Sequence, residues 1–95
     1  MNNLLQIYPT PKFKKTIKKL HPHQKKELDK AIHALTSDPF LGDSKKGDLA
    51  GIRVYKFKIN QQPTLLAYVY DDTSLTLTLL ALGSHENFYK DLKMN

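Results

Sequence analysis

Residues 52–59 read IRVYKFKI, and this segment decides the fold because large apolar and basic side chains alternate along it. Successive side chains of a β-strand point to opposite faces of the sheet. One face should therefore carry the apolar side chains and pack against a second layer: Tyr55, Phe57 and Ile59. The other face should carry Val54, Lys56 and Lys58. The segment predicts a strand of a sheet that helices cover on one side only.

Two apolar segments follow residues 52–59 at short distance, which predicts a three-stranded antiparallel meander. Residues 64–70 and 75–82 are the candidate strands, and polar turns at 60–63 and 71–74 separate the three segments. Short polar connections of this kind join neighbouring antiparallel strands.

The turn lengths also predict which residues face each other in the meander. Simple registers give three cross-strand pairs: Lys58 with Leu65, Lys56 with Ala67, and Ala67 with Thr78. By alternation, Leu80 and Leu82 should lie on the same face. The lysine-bearing face should thus also present an exposed apolar groove, and exposed apolar surface is typical of a binding site.

The first half of the chain predicts an edge strand and a helical hairpin. Residues 4–8 are apolar and stop at two prolines, which favours an edge strand. In residues 10–37 apolar side chains recur at helical spacing, with a break at Pro22. The predicted buried positions are Phe13, Ile17 and Leu20 in the first helix and Leu28, Ala31, Ile32 and Leu35 in the second.

A last short helix should follow the meander. Ser84 can cap it, and Phe88 and Leu92 should pack inward at positions i and i+4. The predicted order is β-α-α-β-β-β-α. We therefore expect an α+β fold, with a twisted antiparallel sheet, an N-terminal helical hairpin on one face and a short C-terminal helix.

Length and composition predict a single domain that comprises residues 1–95. With 40% hydrophobic content the chain can form one core of two packed layers. The absence of cysteine excludes disulfides and thiolate chemistry. The apolar run at 79–82 is far shorter than the roughly 20 residues of a membrane span, and residues 1–6 lack the features of a signal peptide. We expect a cytoplasmic protein that does not enter a membrane.

The charge is basic and unevenly distributed. Fifteen Lys and Arg residues oppose nine acidic residues, for a net charge of +6, and residues 1–50 contain ten lysines and five acids. Such asymmetry favours a polyanionic partner, either a nucleic acid or an acidic protein segment. A solvated lysine face is the alternative. The ratio of fourteen lysines to one arginine favours this alternative, because arginine is the side chain suited to bidentate phosphate contacts.

Four side chains form a candidate site for phosphodiester cleavage. Lys56 and Lys58 should stand roughly 6 to 7 Å apart, close enough to contact one phosphate. His85 follows the last strand, and Tyr89 lies one helical turn further along the chain. Histidine, lysine and tyrosine can supply the base, the acid and the charge stabilisation without a metal. The structural alternatives are solvated lysines, a packing tyrosine and a capping or surface histidine.

The remaining motifs argue against cofactor chemistry. No metal-ligand spacing and no phosphate-binding glycine loop occurs in the sequence, so we expect no cofactor and no metal site. His21 and His23 flank Pro22 at a helix start, where a capping role or no role is expected.

The order and spacing of several segments resemble the RelE/ParE superfamily of toxins from bacterial type II toxin–antitoxin modules. The resemblance covers nearly the whole chain. Its elements are an N-terminal strand with a helical hairpin, GDLAG at 47–51, YKFK at 55–58, LAY at 66–68 and LGSHENFY at 82–89. Members of this superfamily are ribosome-associated mRNA endonucleases or inhibitors of DNA gyrase, and a cognate antitoxin neutralises each of them.

The resemblance also implies roles for individual residues. Lys56 and Lys58 match catalytic basic residues on the corresponding strand. His85 stands where some members have a catalytic histidine and others an arginine, and Tyr89 stands at an aromatic position. One departure is Leu65, which we align, opposite Lys58, with a position that is often arginine in the family. The loss of that arginine would remove a phosphate-binding charge.

The functional hypothesis is a metal-independent endoribonuclease, or mRNA interferase, that arrests growth. The alternative is a ParE-like gyrase inhibitor or a DNA-nicking toxin. Two partners follow from the hypothesis: RNA, free or on the ribosome, and a cognate acidic antitoxin. We expect an amphipathic segment of that antitoxin, disordered when free, to cover the apolar groove and contact the lysines.

Overall fold

The computed structural model of the chain describes residues 5–84, 88 and 92. The elements in chain order are β1 (Gln6–Pro9), α1 (Pro11–Lys18), α2 (Pro22–Ser37), β2 (Asp43–Ser44), a 3-10 turn (Gly47–Leu49), β3 (Arg53–Ile59), β4 (Gln62–Asp71) and β5 (Thr76–Ser84). Phe88 and Leu92 are helical and follow β5. The α+β order is confirmed, and the short β2 and the 3-10 turn are additions within the connection from α2 to β3. Among the described residues, no helix combines the length and the apolar character that a membrane span needs.

The five strands form one sheet in the order β1-β5-β4-β3-β2. Strands β3, β4 and β5 form the predicted antiparallel meander. β1 lies at the sheet edge, as predicted, but it pairs with β5 in parallel. The sheet is therefore mixed rather than antiparallel throughout. No hairpin joins β1 to β5, so no tight turn imposes an antiparallel direction on this pair.

The helical hairpin covers one face of the sheet, which we call the inner face. Thr10 caps α1 by accepting a hydrogen bond from the Phe13 backbone N–H at 3.3 Å, and its hydroxyl donates to the Leu79 carbonyl at 2.9 Å. This pair of bonds fixes the start of α1 against β5. The core of the inner face comprises Phe13, Leu28, Leu35, Leu66, Tyr68, Leu77 and Leu79, with Ile17, Leu20, Ile32, Tyr55 and Phe57 packed against it. The predicted buried faces of both helices and of β3 are confirmed.

A second hydrophobic cluster covers part of the opposite, outer face, where we had predicted an exposed groove. Leu65 and Ala67 are buried, at 1% and 0% exposure. The cluster that buries them comprises Leu49, Val54, Leu65, Ala67, Ala81, Phe88 and Leu92. The groove prediction was wrong because the chain fills this surface itself, with the 3-10 turn and with the helical residues after β5.

The turn between β3 and β4 is shorter than predicted, and this shifts the register by two residues. Ile59 pairs with Gln62, so that only Asn60 and Gln61 form the turn. Both have positive φ angles, 52° and 66°, as two-residue hairpin turns of type I′ require. Lys56 consequently lies opposite Leu65, and Lys58 opposite Pro63. A shift of two preserves the faces, so both lysines stay on the outer face.

A β-bulge in β5 changes the alternation of its side chains. Ala67 pairs with Ala81, whereas the next residue, Tyr68, pairs with Leu79. Leu80 is the additional residue, and such an insertion reverses the direction of the side chains that follow it. Thr78 lies opposite Val69 rather than Ala67 for a separate reason: Asp71 pairs with Thr76, so the turn comprises residues 72–75 and not 71–74. Leu82 packs into the inner-face core and not beside the lysines, contrary to the prediction.

Tyr68 and Arg53 attach the loop that follows α2 to the sheet. The Tyr68 hydroxyl donates to the Pro39 carbonyl at 2.7 Å and accepts from the Gly42 backbone N–H at 2.9 Å. A Cβ atom at Gly42 would come within 2.8 Å of the Tyr68 ring, so the close approach requires glycine. Arg53 donates from one guanidinium nitrogen to the carbonyls of Phe40 and Gly42, and it lies over the Phe40 ring.

Candidate functional site

Lys56 and Lys58 project from the outer face of β3, and both are exposed. Phe57, between them in sequence, packs into the inner-face core. Neither lysine forms a hydrogen bond or an ion pair with any described residue. The two ammonium groups therefore lie on the part of the outer face that the second hydrophobic cluster leaves open, where both remain available to an anion.

The sheet brings the end of β5 near these lysines. Leu65 pairs with Lys56 on one side and with Gly83 on the other. With strands about 4.8 Å apart, the Cα atom of Gly83 lies about 10 Å from that of Lys56. β5 ends at Ser84, opposite Thr64, and His85 is the next residue along the chain.

His85 and Tyr89 lie outside the described residues, so their predicted roles stay predictions. Their neighbours Phe88 and Leu92 are buried in the outer cluster, as predicted. Phe88 lies close to the end of β5, since a Cβ atom at Gly83 would be 3.5 Å from the Phe88 ring. The described residues on either side of His85 are therefore Ser84, which ends β5, and Phe88, which is buried in the outer cluster.

Leu65 occupies the centre of the row from Lys56 to Gly83, and its side chain is part of the apolar cluster. It therefore supplies no charge to the site. The predicted partner of Leu65 was Lys58, and the observed partner is Lys56. Arg53, the one arginine of the chain, is bound to loop carbonyls and does not replace the missing charge.

Two cavities flank the site, and the sequence had not indicated either. One, of about 290 Å³, lies beside β5 and adds two residues of α1, Lys12 and Thr16, to the surroundings of Gly83 and Ser84. The other, of about 530 Å³, adjoins Lys58. Its remaining lining residues are His23, Glu27, Asn60 and Gln61. These side chains meet because α2 packs beside β3, and no sequence motif predicts that tertiary contact.

The electrostatic character of the surface is set by α1 and the start of α2. Residues 1–26 contain seven lysines and no acidic residue. The five lysines of residues 12–19 are all exposed. The groups with clearly shifted pKa values lie elsewhere: burial raises the pKa of Tyr68, and hydrogen bonds from Thr73 lower the pKa of Asp71. Across residues 5–84, 88 and 92, no group of three or more His, Asp or Glu side chains could hold a metal ion.

Two structures with the same fold are of a bacterial toxin. A double mutant of the Escherichia coli toxin RelE in the free state superimposes with a TM-score of 0.74 at 15% identity, covering 94% of this chain and 92% of that one. RelE from the intact E. coli RelBE toxin–antitoxin complex gives 0.69 at 18% identity, over 86% and 98%. The two TM-scores show a shared fold.

A third similar structure is the conserved hypothetical protein HP0892 from Helicobacter pylori. It has 27% identity and a TM-score of 0.60, over 86% of this chain and 96% of that one. Among curated protein sequences, none matches the chain.

The family assignment rests on the sequence. A family model described as the ParE-like toxin of type II bacterial toxin–antitoxin systems matches residues 7–93, almost the whole chain. The match confirms the resemblance seen in the motifs. The chain therefore belongs to the ParE-like toxins of type II bacterial toxin–antitoxin systems.

Proposed function

We propose that this toxin is a metal-independent endoribonuclease that cleaves mRNA and thereby arrests growth. The observation that carries the proposal is the position of Lys56 and Lys58. Both are exposed on one face, in a part of the sheet where β5 ends one residue before His85. Two cations can bind a phosphate and stabilise the charge that develops on it, and a histidine close to them would supply the acid–base group.

In the proposed reaction, the RNA 2′-hydroxyl attacks the adjacent phosphorus. A base removes the hydroxyl proton while the new P–O2′ bond forms, and the P–O5′ bond breaks as an acid protonates the leaving oxygen. His85 is the general acid or base, because an unperturbed imidazole has a pKa of about 6.5 and both protonation states are populated near neutral pH. The products are a 2′,3′-cyclic phosphate and a 5′-hydroxyl end.

Lys56 and Lys58 hold the phosphate and stabilise the charge that develops on it. Tyr89 orients the substrate or stacks on a base. With Leu65 buried, stabilisation of the phosphate falls on the two lysines of β3. Lysine is a flexible point charge and lacks the bidentate geometry of arginine, so two of them are needed to bracket one phosphate.

The proposed partner is a cognate acidic antitoxin. The net charge of +6 and the lysine-rich residues 1–26 favour an acidic segment. Structures of E. coli RelE, which shares the fold, are known in the RelBE toxin–antitoxin complex and, for the double mutant, in complex with an antitoxin RelBc peptide. With the outer-face groove filled by Phe88 and Leu92, charge rather than an empty apolar groove supports this partner.

The test is a set of cleavage assays with the purified chain. The substrates are mRNA on ribosomes, free RNA and supercoiled DNA, and a gyrase supercoiling assay runs alongside. We expect RNA to be cut, and His85→Gln to slow cleavage by roughly 10²- to 10⁴-fold because an acid–base group is lost. Lys46→Ala removes an exposed lysine away from the site and should retain activity.

Other outcomes would assign a different activity. Inhibited supercoiling with no cut strands would replace the nuclease by a gyrase inhibitor. Nicked DNA together with intact RNA would indicate a DNA-nicking toxin, because a 2′-hydroxyl mechanism cannot act on DNA. Full activity of His85→Gln on RNA would show that His85 is not the acid–base group.

A further inference from the structure

The cavity beside Lys58 is formed by two elements that are distant in sequence. The start of α2 contributes His23 and Glu27, and the β3–β4 turn contributes Asn60 and Gln61. The cavity is accessible because β2 pairs only with Arg53 and Val54 and leaves the rest of that edge of β3 without a neighbouring strand. It is a shallow depression of about 530 Å³ that is largely open to solvent, as a site for part of a single-stranded chain must be.

The polar groups that line the cavity are available for a ligand. Among the described residues, the side chains of His23, Lys58, Asn60 and Gln61 make no hydrogen bond to protein. Glu27 has one partner, Lys30, whose ammonium nitrogen lies 3.5 Å from Oε2. The ion pair leaves Oε1 of Glu27 without a partner in the described part of the chain.

The turn supplies Gln61 at some conformational cost. Its φ of 66° lies in the left-handed region, where glycine is favoured at this position of a type I′ turn. A glutamine there strains the backbone yet places an amide at the cavity. Strain of this kind concentrates at sites where a side chain has a role beyond the fold.

The chemistry of the lining favours a nucleobase over a second phosphate. A phosphate would be repelled by the Glu27 carboxylate. A base instead offers exocyclic amino groups that a carboxylate accepts, and edge atoms that the amides of Asn60 and Gln61 can pair with. Lys58 belongs both to the cavity and to the proposed phosphate site. It lines the cavity and also stands beside Lys56 on the outer face.

We propose that this cavity is a base-recognition subsite of the toxin. It takes the base of a nucleotide next to the phosphate held by Lys56 and Lys58, and Glu27 accepts a hydrogen bond from the exocyclic amino group of adenine, cytosine or guanine. Uracil has no such group and is disfavoured. The inference rests on the proposed RNA cleavage and specifies how that site selects sequence.

The test measures binding rather than cleavage. The probes are 2′-O-methyl heptanucleotides, which lack the attacking hydroxyl: one of uridine only, and three with a single central A, C or G. Fluorescence anisotropy should show at least one amino-bearing base bound about 3- to 10-fold more tightly than uridine, the effect of one hydrogen bond. Glu27→Gln should abolish most of this preference, because its amide can donate as well as accept.

Two further variants test whether a loss of base preference comes from the cavity itself and not from a change in net charge or a folding defect. Asp29→Asn removes the same charge from an exposed position of α2 outside the cavity and should leave the preference unchanged. Gln61→Gly suits the backbone at φ 66° and should fold normally but weaken the preference.

The outcomes distinguish this inference from the proposed function. Equal binding of all four probes by an RNA-cleaving protein, or a preference retained in Glu27→Gln, would overturn the subsite and leave the nuclease intact. A protein that neither binds the probes nor cuts RNA would overturn both.

Discussion

The two faces of the sheet use the same strands in different ways. The inner face is apolar across the meander and is covered by both helices. The outer face is divided: Val54 and Leu65 are buried in the second hydrophobic cluster, while Lys56 and Lys58 are exposed. On β3 the buried Val54 and the exposed Lys56 are only two positions apart. The hydrophobic packing of one face thus allows the other face to display charge without loss of the fold.

The difference shows how a small chain separates stability from chemistry. Burial of apolar surface on the inner face stabilises the strand backbone. The lysines then need no partner for the strand to be stable, and both side chains stay exposed. Substitutions of buried apolar residues should therefore lower the free energy of unfolding, whereas substitutions of the exposed lysines should weaken RNA binding. Four experiments follow.

The largest effect is expected from the matched neighbours Leu66 and Leu65, which are 0% and 1% exposed on opposite faces. Leu66→Ala should lower the free energy of unfolding by about 2–5 kcal/mol, because it leaves a cavity in the inner-face core. Leu65→Ala should cost about 2–3 kcal/mol, the lower end of that range, since the helical hairpin does not cover the outer cluster. Urea denaturation measures both. A larger loss for Leu65→Ala would make the outer cluster the dominant core.

A sharper contrast comes from Phe57 and Lys56, adjacent residues of β3. Phe57→Ala should lower stability by about 2–3 kcal/mol through lost burial. Lys56→Ala should change stability by less than about 0.5 kcal/mol. It should weaken RNA binding and reduce the slope of log affinity against log salt by about 0.7, the value for one phosphate contact on a single strand. An unchanged salt slope would mean that Lys56 does not contact a phosphate.

A smaller effect is expected at Tyr68, whose hydroxyl bonds to Pro39 and Gly42. Tyr68→Phe should cost about 1–3 kcal/mol, because the Gly42 N–H is buried and loses its acceptor. Burial raises the pKa of Tyr68 above 10.0, so the unfolded chain ionises first and stability should fall as pH rises above about 10. Tyr68→Phe should lack this part of the pH dependence. An identical alkaline profile would show that Tyr68 does not titrate differently on folding.

The smallest effect is expected at the exposed β4–β5 turn. The Asp71 carboxylate accepts hydrogen bonds from the hydroxyl and backbone N–H of Thr73, at 2.6 and 3.0 Å, which lower its pKa below 3.8. The stabilisation is complete above pH 3.8 and is lost as pH falls through the lower, folded-state pKa. Asp71→Asn should therefore flatten the acid limb of the stability profile. An unaltered acid limb would contradict the assigned hydrogen bonds.

Local patterns predicted much of this molecule. The alternation in residues 52–59 and the helical spacing of Phe13, Ile17 and Leu20 each depend on one element and its nearest layer. The faces of Lys56 and Phe57 and the buried residues of both helices follow from these patterns. A period of two or of about four is a property of neighbouring residues, so it can be read without the tertiary structure.

Features with no periodic pattern of their own could not be predicted in this way. Gln61 carries no signal for a left-handed conformation, so the two-residue turn and its register were missed. The bulge at Leu80 has no residue signature, and it reversed the predicted side of Leu82. The burial of Leu65 depends on Phe88, which is 23 positions later in the sequence and carries no indication of the face it covers.

The parallel pairing of β1 with β5 has a consequence for the moment at which the toxin becomes active. The Thr10 hydroxyl and its acceptor, the Leu79 carbonyl, are 69 positions apart in sequence. A ribosome adds about 5–20 residues per second, so on the order of 3 to 14 seconds of synthesis separate the two partners. During this interval β5 has not yet been made, so β1 has no strand to pair with. The row from Lys56 to Gly83 does not yet exist during this interval, so the arrangement on which the proposed activity depends forms only after β5 has been made.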